Sequence, residues 1–276
     1  MSTFGKRLAA ALDERGSLCV GVDPHPGLLE SWGFADDADG LARFADTCVE
    51  AFADTAAVVK PQSAFFETHG ARGIAVLERT VAALRAAGSL VILDVKRGDI
   101  GTTMAAYARA YLEPSSPLAA DAITASPYLG VGSLQPAFDL AAAHGGGVFV
   151  LALTSNPEGP QLQHLRGADG RTVAQVVVDD IAARNAGAAP FGAIGAVVGA
   201  TIGTSTADLS NLNGSFLVPG IGAQGGTADD VRRIFGAGLA AVVPSVSREV
   251  LRAGPDPKAL RAAVASLAEQ FAFLRS

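Results

Sequence analysis

Asp94, Lys96 and Asp99 place one ammonium between two carboxylates within a six-residue run. On an extended strand, residues two apart face the same way, so the spacing predicts that Asp94 and Lys96 meet. Opposite charges side by side favour one another's ionised forms. A lysine held in this way stays protonated, which suits a general acid or an electrostatic clamp. It does not suit an amine nucleophile, which needs a depressed pKa. A lone Asp-x-Lys is more often a solvated salt bridge on a loop. Lys60, directly after another apolar run, and the nearby Asp99 shift the balance toward a convergent charge array. The second chemical signal is Gly220-x-Gly222-x-x-Gly225. A dinucleotide fingerprint of this form belongs near the start of a nucleotide-binding unit, with an acidic residue roughly 20 positions later. Here it follows a late apolar run, and the next run ends in Val243-Pro244-Ser245. That place suits a phosphate: glycines admit close backbone approach, and the N-terminus of a following helix favours an anion. Arg248 could fork onto the same phosphate.

The elements that must position these residues show as an alternation. Short apolar runs, rich in β-branched residues, occupy 18–22, 57–59, 90–93, 122–124, 148–153, 194–198, 216–218 and 240–243. Eight runs in 276 residues give a unit of about 35, close to the ~30 of a βαβ building block. Strands this uniformly apolar suit a parallel sheet covered on both faces. Between them lie helical segments such as 73–87, where Ile74, Leu77, Val81 and Leu84 recur at spacings of three and four. In 228–238, Val231, Ile234 and Phe235 form the apolar side, and Thr227 is the expected N-cap. Residues 1–15 read as an extra amphipathic helix that closes one end of a barrel. The expectation is an α/β protein, a single (β/α)8 barrel domain over residues 1–276. Barrel active sites lie at the C-terminal strand ends. That filter selects Asp23, Pro24 and His25; Lys60; 94–99; Thr154, Ser155 and Asn156; 219–226; and Ser245, Ser247 and Arg248.

Composition narrows the partners. A net charge of −6 gives no support for nucleic acid or an acidic membrane surface. Two cysteines, Cys19 and Cys48, make neither a disulfide framework nor a zinc cluster and are expected as buried core residues. The uncharged stretch 185–207 carries Pro190 and several glycines and lacks leucine, so it reads as loop, buried strand and turn rather than a membrane span. No signal peptide is apparent, and a reducing cytoplasm is the expected compartment. His25, His69, His144 and His164 lack metal-ligand spacing, and the acidic run 36–39 lacks the first ligand of a calcium loop. Ser126 and Ser155 have no evident His/Asp partners for a hydrolase triad.

Taken together, Asp94-Val95-Lys96-Arg97-Gly98-Asp99-Ile100-Gly101-Thr102-Thr103 resembles the DxKxxDI signature of the orotidine 5′-phosphate decarboxylase family. Residues 59–67 (VKPQSAFFE) are similar to the strand-two motif of its mycobacterial-type branch. Residues 219–226 (PGIGAQGG) look like its phosphate-gripping loop. The matches extend from Asp23 to Arg248 in the family's order. The segment 126–130 and the region 156–171 depart from the best-known branch.

The resemblance implies decarboxylation of orotidine 5′-monophosphate (OMP) to UMP without metal or organic cofactor. It also implies a homodimer with sites that straddle the interface. Carried over by position, Lys60, Asp94, Lys96 and Asp99 form the charged array, with Lys96 the proton donor. Asp99 and Thr103 would come from the partner subunit. Asp23 would contact the ribose, Ser155 the pyrimidine, and Gln224 and Arg248 the phosphate, with Pro219 also in the substrate site. Two other readings are carried forward. One is a metal-dependent sugar-phosphate aldolase or decarboxylase on the same barrel, in which an acidic residue stands where Lys60 does. The other is a non-catalytic nucleotide-phosphate sensor.

Overall fold

The structure is a computed structural model and describes residues 2–275, so Met1 of the expected N-terminal helix lies outside the described residues. Eight strands form: β1 (Cys19–Val22), β2 (Val58–Pro61), β3 (Leu90–Arg97), β4 (Ala122–Ala125), β5 (Gly147–Leu153), β6 (Ile194–Val198), β7 (Phe216–Val218) and β8 (Val242–Val246). They close into a barrel in sequence order, β8 pairing back to β1, with every neighbouring pair parallel. Helices intervene between successive strands, except that β6 and β7 are joined by a segment without a helix. Among the described residues, no helix is long and apolar enough to cross a membrane, and the 185–207 stretch contributes the buried strand β6.

Some boundaries differ from the sequence reading. Lys60 lies within β2 rather than after it, and β3 continues through Asp94 to Arg97. Charge had marked these residues as loop, but pairing with β1 carries the ladder through Lys60, and pairing with β4 carries it to Arg97. At the other end of the barrel, the run expected to start at residue 240 starts at Val242. Residues Gly236–Ala241 instead form a 3-10 turn after the helix Ala228–Phe235. Ala240 and Ala241, the two residues that the expected strand loses, offer little side chain for a strand to bury. Thr227 caps that helix as expected, in a reciprocal capping box with Asp230. The acidic run at 36–39 is also a cap: the Asp37 side chain accepts from the Asp39 and Gly40 N–H groups.

The pleat sorts each strand into two faces. Cys19, Val58, Ile92, Ala122, Phe149, Val197, Leu217 and Val243 are buried in one inner apolar cluster. Two residues further along the strands, the same parity gives Lys60, Asp94, Thr124, Leu151 and Ser245, all of which line a cavity at the C-terminal end. The apolar layer is therefore the floor on which the polar residues stand. Residues of opposite parity, such as Val20, Val59, Val91 and Ile123, face the helices in a second cluster.

The helix Phe4–Arg15 closes the other mouth, as expected. Phe4, Leu8 and Leu12, four residues apart, are buried in the inner cluster. The Phe4 ring meets Phe149 edge-on at 5.9 Å. Arg7 fixes the helix by donating to Asp121 Oδ1 at 2.7 Å and to the Gly145 carbonyl at 2.8 Å. The second Asp121 oxygen accepts from the Val91 N–H at 3.0 Å, which ties the plug to the barrel wall.

Phe4→Ala should cost about 3–5 kcal/mol of stability through the cavity it opens, measured by chemical denaturation. Ligand affinity at the opposite end should change little, because the Phe4 ring lies against Phe149, which does not line the cavity there.

Candidate active site

The cavity has a volume of about 410 Å³ and draws residues from all eight strands or the loops that follow them. This size suits a single small molecule. Its two sides differ in chemistry. Asp23, Lys60, Asp94, Lys96 and Thr124 come from the β1–β4 side. The β5–β8 side supplies Ser155, the loop from Pro219 to Gln224, Ser247 and Arg248.

On the first side, Asp94 is the hub. Its Oδ2 accepts from Lys60 Nζ at 2.8 Å, and its Oδ1 accepts from Lys96 Nζ at 2.6 Å. Lys60 Nζ also lies 3.9 Å from Asp23 Oδ1. Lys60 and Asp94 are almost fully buried, whereas Lys96 is exposed at the cavity surface. Burial alone would drive Lys60 toward the neutral amine, but the Asp94 and Asp23 carboxylates outweigh it and hold the ammonium above the ordinary lysine range. Burial likewise opposes ionisation of Asp94, and Lys60 and Lys96 together carry it well below the usual carboxylate range. The expected pairing of Asp94 with Lys96 is present, but not through regular strand geometry. Lys96 has a φ of 45°, in the left-handed region. For a residue other than glycine this costs on the order of 1–3 kcal/mol. The irregularity shows in the pairing with β4, which runs Leu93 to Ile123 and then Arg97 to Ala125. Three residues of β3 thus oppose one residue of β4, Thr124.

Thr124 was counted only as the β-branched end of a strand, yet it binds all three of those residues. Its Oγ1 accepts from the Val95 N–H at 3.1 Å and the Lys96 N–H at 2.9 Å, and donates to Asp94 Oδ1 at 2.7 Å. Gln62 is a second such residue: its Nε2 donates to the Asp94 carbonyl at 3.5 Å. A parity count from the inward-facing strand residues would have flagged Thr124. Arg97, next along the chain, turns outward to Glu67 Oε1 at 2.8 Å and the Tyr111 hydroxyl at 3.1 Å.

On the second side, the loop after β7 turns on three left-handed glycines, Gly220 (φ 99°), Gly222 (φ 69°) and Gly225 (φ 92°). Side chains there would be strained, which explains the glycine spacing. The loop is closed by bonds from the Gly222 N–H to the Gly226 carbonyl (2.9 Å) and from the Gly226 N–H to the Gly220 carbonyl (2.9 Å). None of its internal backbone bonds uses the Ala223 or Gln224 N–H. Arg248 opens the short helix after β8, and its guanidinium has no ion-pair partner among the described residues. A backbone cradle and a guanidinium lining one cavity have the chemistry to receive an anion. Ser155 packs so closely on β6 that a Cβ at Gly199 would stand 2.0 Å from its Oγ. Behind it, the region 156–171 forms the short helix Pro160–Gln163, whose Gln163 braces the strand end through the Thr154 N–H (3.0 Å) and hydroxyl (2.7 Å).

Between the two sides, Asp23 Oδ1 and Ser247 Oγ are buried without a hydrogen-bond partner in the chain. Buried polar atoms left unpaired cost about 1–3 kcal/mol each, so they mark places where a polar ligand would bind. His25 packs edge-on against Phe65 at 4.2 Å. Burial lowers its pKa, with Asp23 opposing and Arg248 adding to the effect, so the ring is neutral at pH 7. Cys19 lies below the charged group as an inert thiol, its pKa pushed up to about 12 by burial; Cys48 is likewise buried.

The structure brings Asp23, Lys60, Asp94, Lys96, Ser155, Pro219, Gln224 and Arg248 to one cavity. It does not bring Asp99 or Thr103 there. Asp99 Oδ1 accepts from the Ile100 N–H at 2.8 Å, and Thr103 is exposed on the first turn of the helix Gly101–Leu112. Within this chain the fourth charge beside Lys60, Asp94 and Lys96 is Asp23.

A family model described as the orotidine 5′-phosphate decarboxylase / HUMPS family matches residues 16–263. An orotidine 5′-phosphate decarboxylase from Salinispora arenicola is 67% identical over 263 residues, 95% of each chain. That from Streptomyces coelicolor is 60% identical over 263 residues, again 95% of each. A crystal structure from Streptomyces avermitilis superposes with a TM-score of 0.97 at 57% identity, covering 100% of this chain and 96% of that one.

The direction of the two shifts fixes a pH window. The stability contributed by Asp94 is complete above its unfolded value near ~3.9 and is lost as pH falls through its lower folded value. The contribution of Lys60 is complete below ~10.4 and is lost as pH rises through its higher folded value. Carboxyl-selective 13C NMR should therefore show Asp94 ionised from neutrality down past about pH 4. A midpoint at or above that value would mean that the two lysines do not hold it.

Proposed function

The chain belongs to the orotidine 5′-phosphate decarboxylase / HUMPS family, and from that membership we propose how its cavity carries out the reaction. The reaction is the decarboxylation of OMP to UMP, a carboxy-lyase step of pyrimidine nucleotide synthesis. The observation that carries the proposal is the Lys60–Asp94–Lys96 ion chain at one side of a cavity whose other side is lined by the glycine loop and Arg248.

The nucleotide lies across the cavity with its phosphate on the 219–226 loop, held by Gln224 and the Arg248 guanidinium. Pro219 shapes the entry to that loop, and Ser155 meets the pyrimidine. The unpartnered Asp23 carboxylate oxygen takes a ribose hydroxyl. This places C6 of the ring at the ion chain. The bond from C6 to the carboxylate breaks, CO2 leaves, and the electron pair stays on C6. Lys96 Nζ stabilises that charge as it develops, where catalysis must act. It then transfers a proton to C6 to form the C–H bond of UMP, and the neutral amine regains a proton from water. Asp94, beside the departing carboxylate, disfavours the bound ground state. Lys60 keeps Asp94 ionised and in place. Phosphate binding far from the reacting atom supplies energy to orient the ring.

The metal-dependent reading finds no footing here. Lys60 Nζ already stands as the cation between Asp94 and Asp23, at 2.8 and 3.9 Å. Among the described residues no cluster of three His, Cys, Asp or Glu side chains could hold a metal ion.

The protein acts as a homodimer in this reading, with Asp99 and Thr103 completing the partner's site. Support comes from the rim where they stand. Ile100 is 63% exposed, and Tyr128 and Leu129 on the next loop are 76% and 51% exposed. The two loops run side by side, joined by the Ser126 N–H bond to the Arg97 carbonyl at 2.8 Å. A rim of this composition is what a subunit interface would cover.

Lys96→Ala should lower kcat by on the order of 10⁴-fold or more while UMP still binds. Near-normal turnover would remove Lys96 from the proton-transfer role. Mixing inactive Lys96→Ala and Asp99→Ala subunits should restore activity, because each heterodimer regains one intact site. Demonstrated heterodimers with no recovered activity would rule out a shared site.

A further inference from the structure

We propose that Thr124 is a positioning residue for the proton donor, fixing both the backbone and the ammonium of Lys96 through one hydroxyl. The inference rests on the reading of Lys96 as the group that acts at C6.

The irregular pairing creates the need. Between Leu93/Ile123 and Arg97/Ala125, β3 has three residues where β4 has one. A single β4 residue cannot offer ladder carbonyls to every N–H opposite it. The Val95 and Lys96 N–H groups turn instead to the Thr124 side chain, at 3.1 and 2.9 Å. A hydroxyl has two lone pairs and one proton. With both lone pairs engaged, the proton is committed, and it points to Asp94 Oδ1 at 2.7 Å. That same oxygen accepts from Lys96 Nζ at 2.6 Å. The lysine is thus gripped at both ends of its side chain: at its own N–H directly, and at its ammonium through Asp94. Thr124 is 1% exposed, so water does not compete for these bonds.

The grip also explains how Lys96 keeps its left-handed backbone, φ 45°. Such a conformation persists only where the surroundings over-determine it. Valine would match the threonine shape but could neither accept the two N–H bonds nor donate to Asp94. Serine would keep every bond and lose only a methyl group.

The test compares Thr124→Val, Thr124→Ser and Lys96→Ala for OMP turnover and UMP affinity. Thr124→Val should lose roughly ten- to a hundredfold in kcat with UMP Kd within about twofold, since sub-ångström displacement of a reacting group costs rate rather than binding. Thr124→Ser should recover kcat to within about threefold of the wild type. The inference is overturned if Thr124→Val keeps its kcat, if its UMP affinity falls in step with kcat, or if the serine variant is as impaired as the valine one. If Thr124→Val does not fold, Thr124→Cys takes its place: a thiol donates and accepts weakly, and the same loss of kcat at intact UMP affinity is expected. Lys96→Ala separates the two levels. Sustained turnover in that variant would remove the reading of Lys96, whereas a dead Lys96→Ala beside a normal Thr124→Val would remove only the role of Thr124.

Discussion

A carboxylate shared between two ammonium groups governs this molecule. Asp94 is buried and charged, which a protein interior tolerates only when the charge is paired and hydrogen-bonded. Each of its oxygens meets a different lysine, and Thr124 fills a further lone pair. Removal of either lysine would leave the other groups with an uncompensated buried charge. The arrangement is therefore costly to disturb and rigid for that reason. Lys60 bears the burial, while Lys96 stays at the cavity surface where a substrate can reach it. Lys60 serves the array, and in the proposed reading Lys96 serves the chemistry.

The barrel makes that arrangement possible by a simple rule of alternation. Inward positions one step below the site are filled by Val58, Ile92 and Ala122, and the next inward positions carry Lys60, Asp94 and Thr124. An apolar floor lets the charged layer sit in a low-dielectric setting, where its interactions are stronger than in water. The same rule leaves β5, β6 and β7 with Leu151, Val197 and Leu217 at the cavity, an apolar wall against which a flat ring can lie. Charge and wall belong to opposite halves of one closed sheet.

Much of this was legible in the sequence, and the exceptions are physical. All eight apolar runs became strands, because burial on both faces demands β-branched residues over short spans. The glycine spacing at 220–225 was readable because left-handed turns admit little else. The inward parity of its strand could have placed Thr124 at the cavity, but its bonds were not readable: they depend on a mismatch between two strands that no local pattern encodes. The pairing of Asp94 with Lys96 was anticipated for a reason the structure replaces. They meet because Lys96 turns into the left-handed region, not because the strand stays extended there. Asp99 illustrates the other limit. Its spacing suggests membership of an array but does not say which subunit's. Within its own chain it lies outside the cavity, where its carboxylate accepts from the Ile100 N–H, and the proposed reading gives it to the partner's site.

These features also separate what the two sides of the cavity contribute to catalysis. In the proposed reading the glycine loop and Arg248 hold a phosphate that does not change during the reaction, so their interactions would be the same in ground and transition states. Such uniform binding alone would raise affinity without raising the rate. It becomes useful because the opposite side is already rigid: the ion chain at Asp94 holds Lys96 in one place before the substrate arrives. In that reading a nucleotide anchored at its phosphate meets a fixed ammonium, not one that must first be organised. Flexibility at either end would waste the energy gained at the other. A strained lysine backbone, a saturated threonine hydroxyl and a doubly paired carboxylate can thus be understood as one device for making remote binding count at C6.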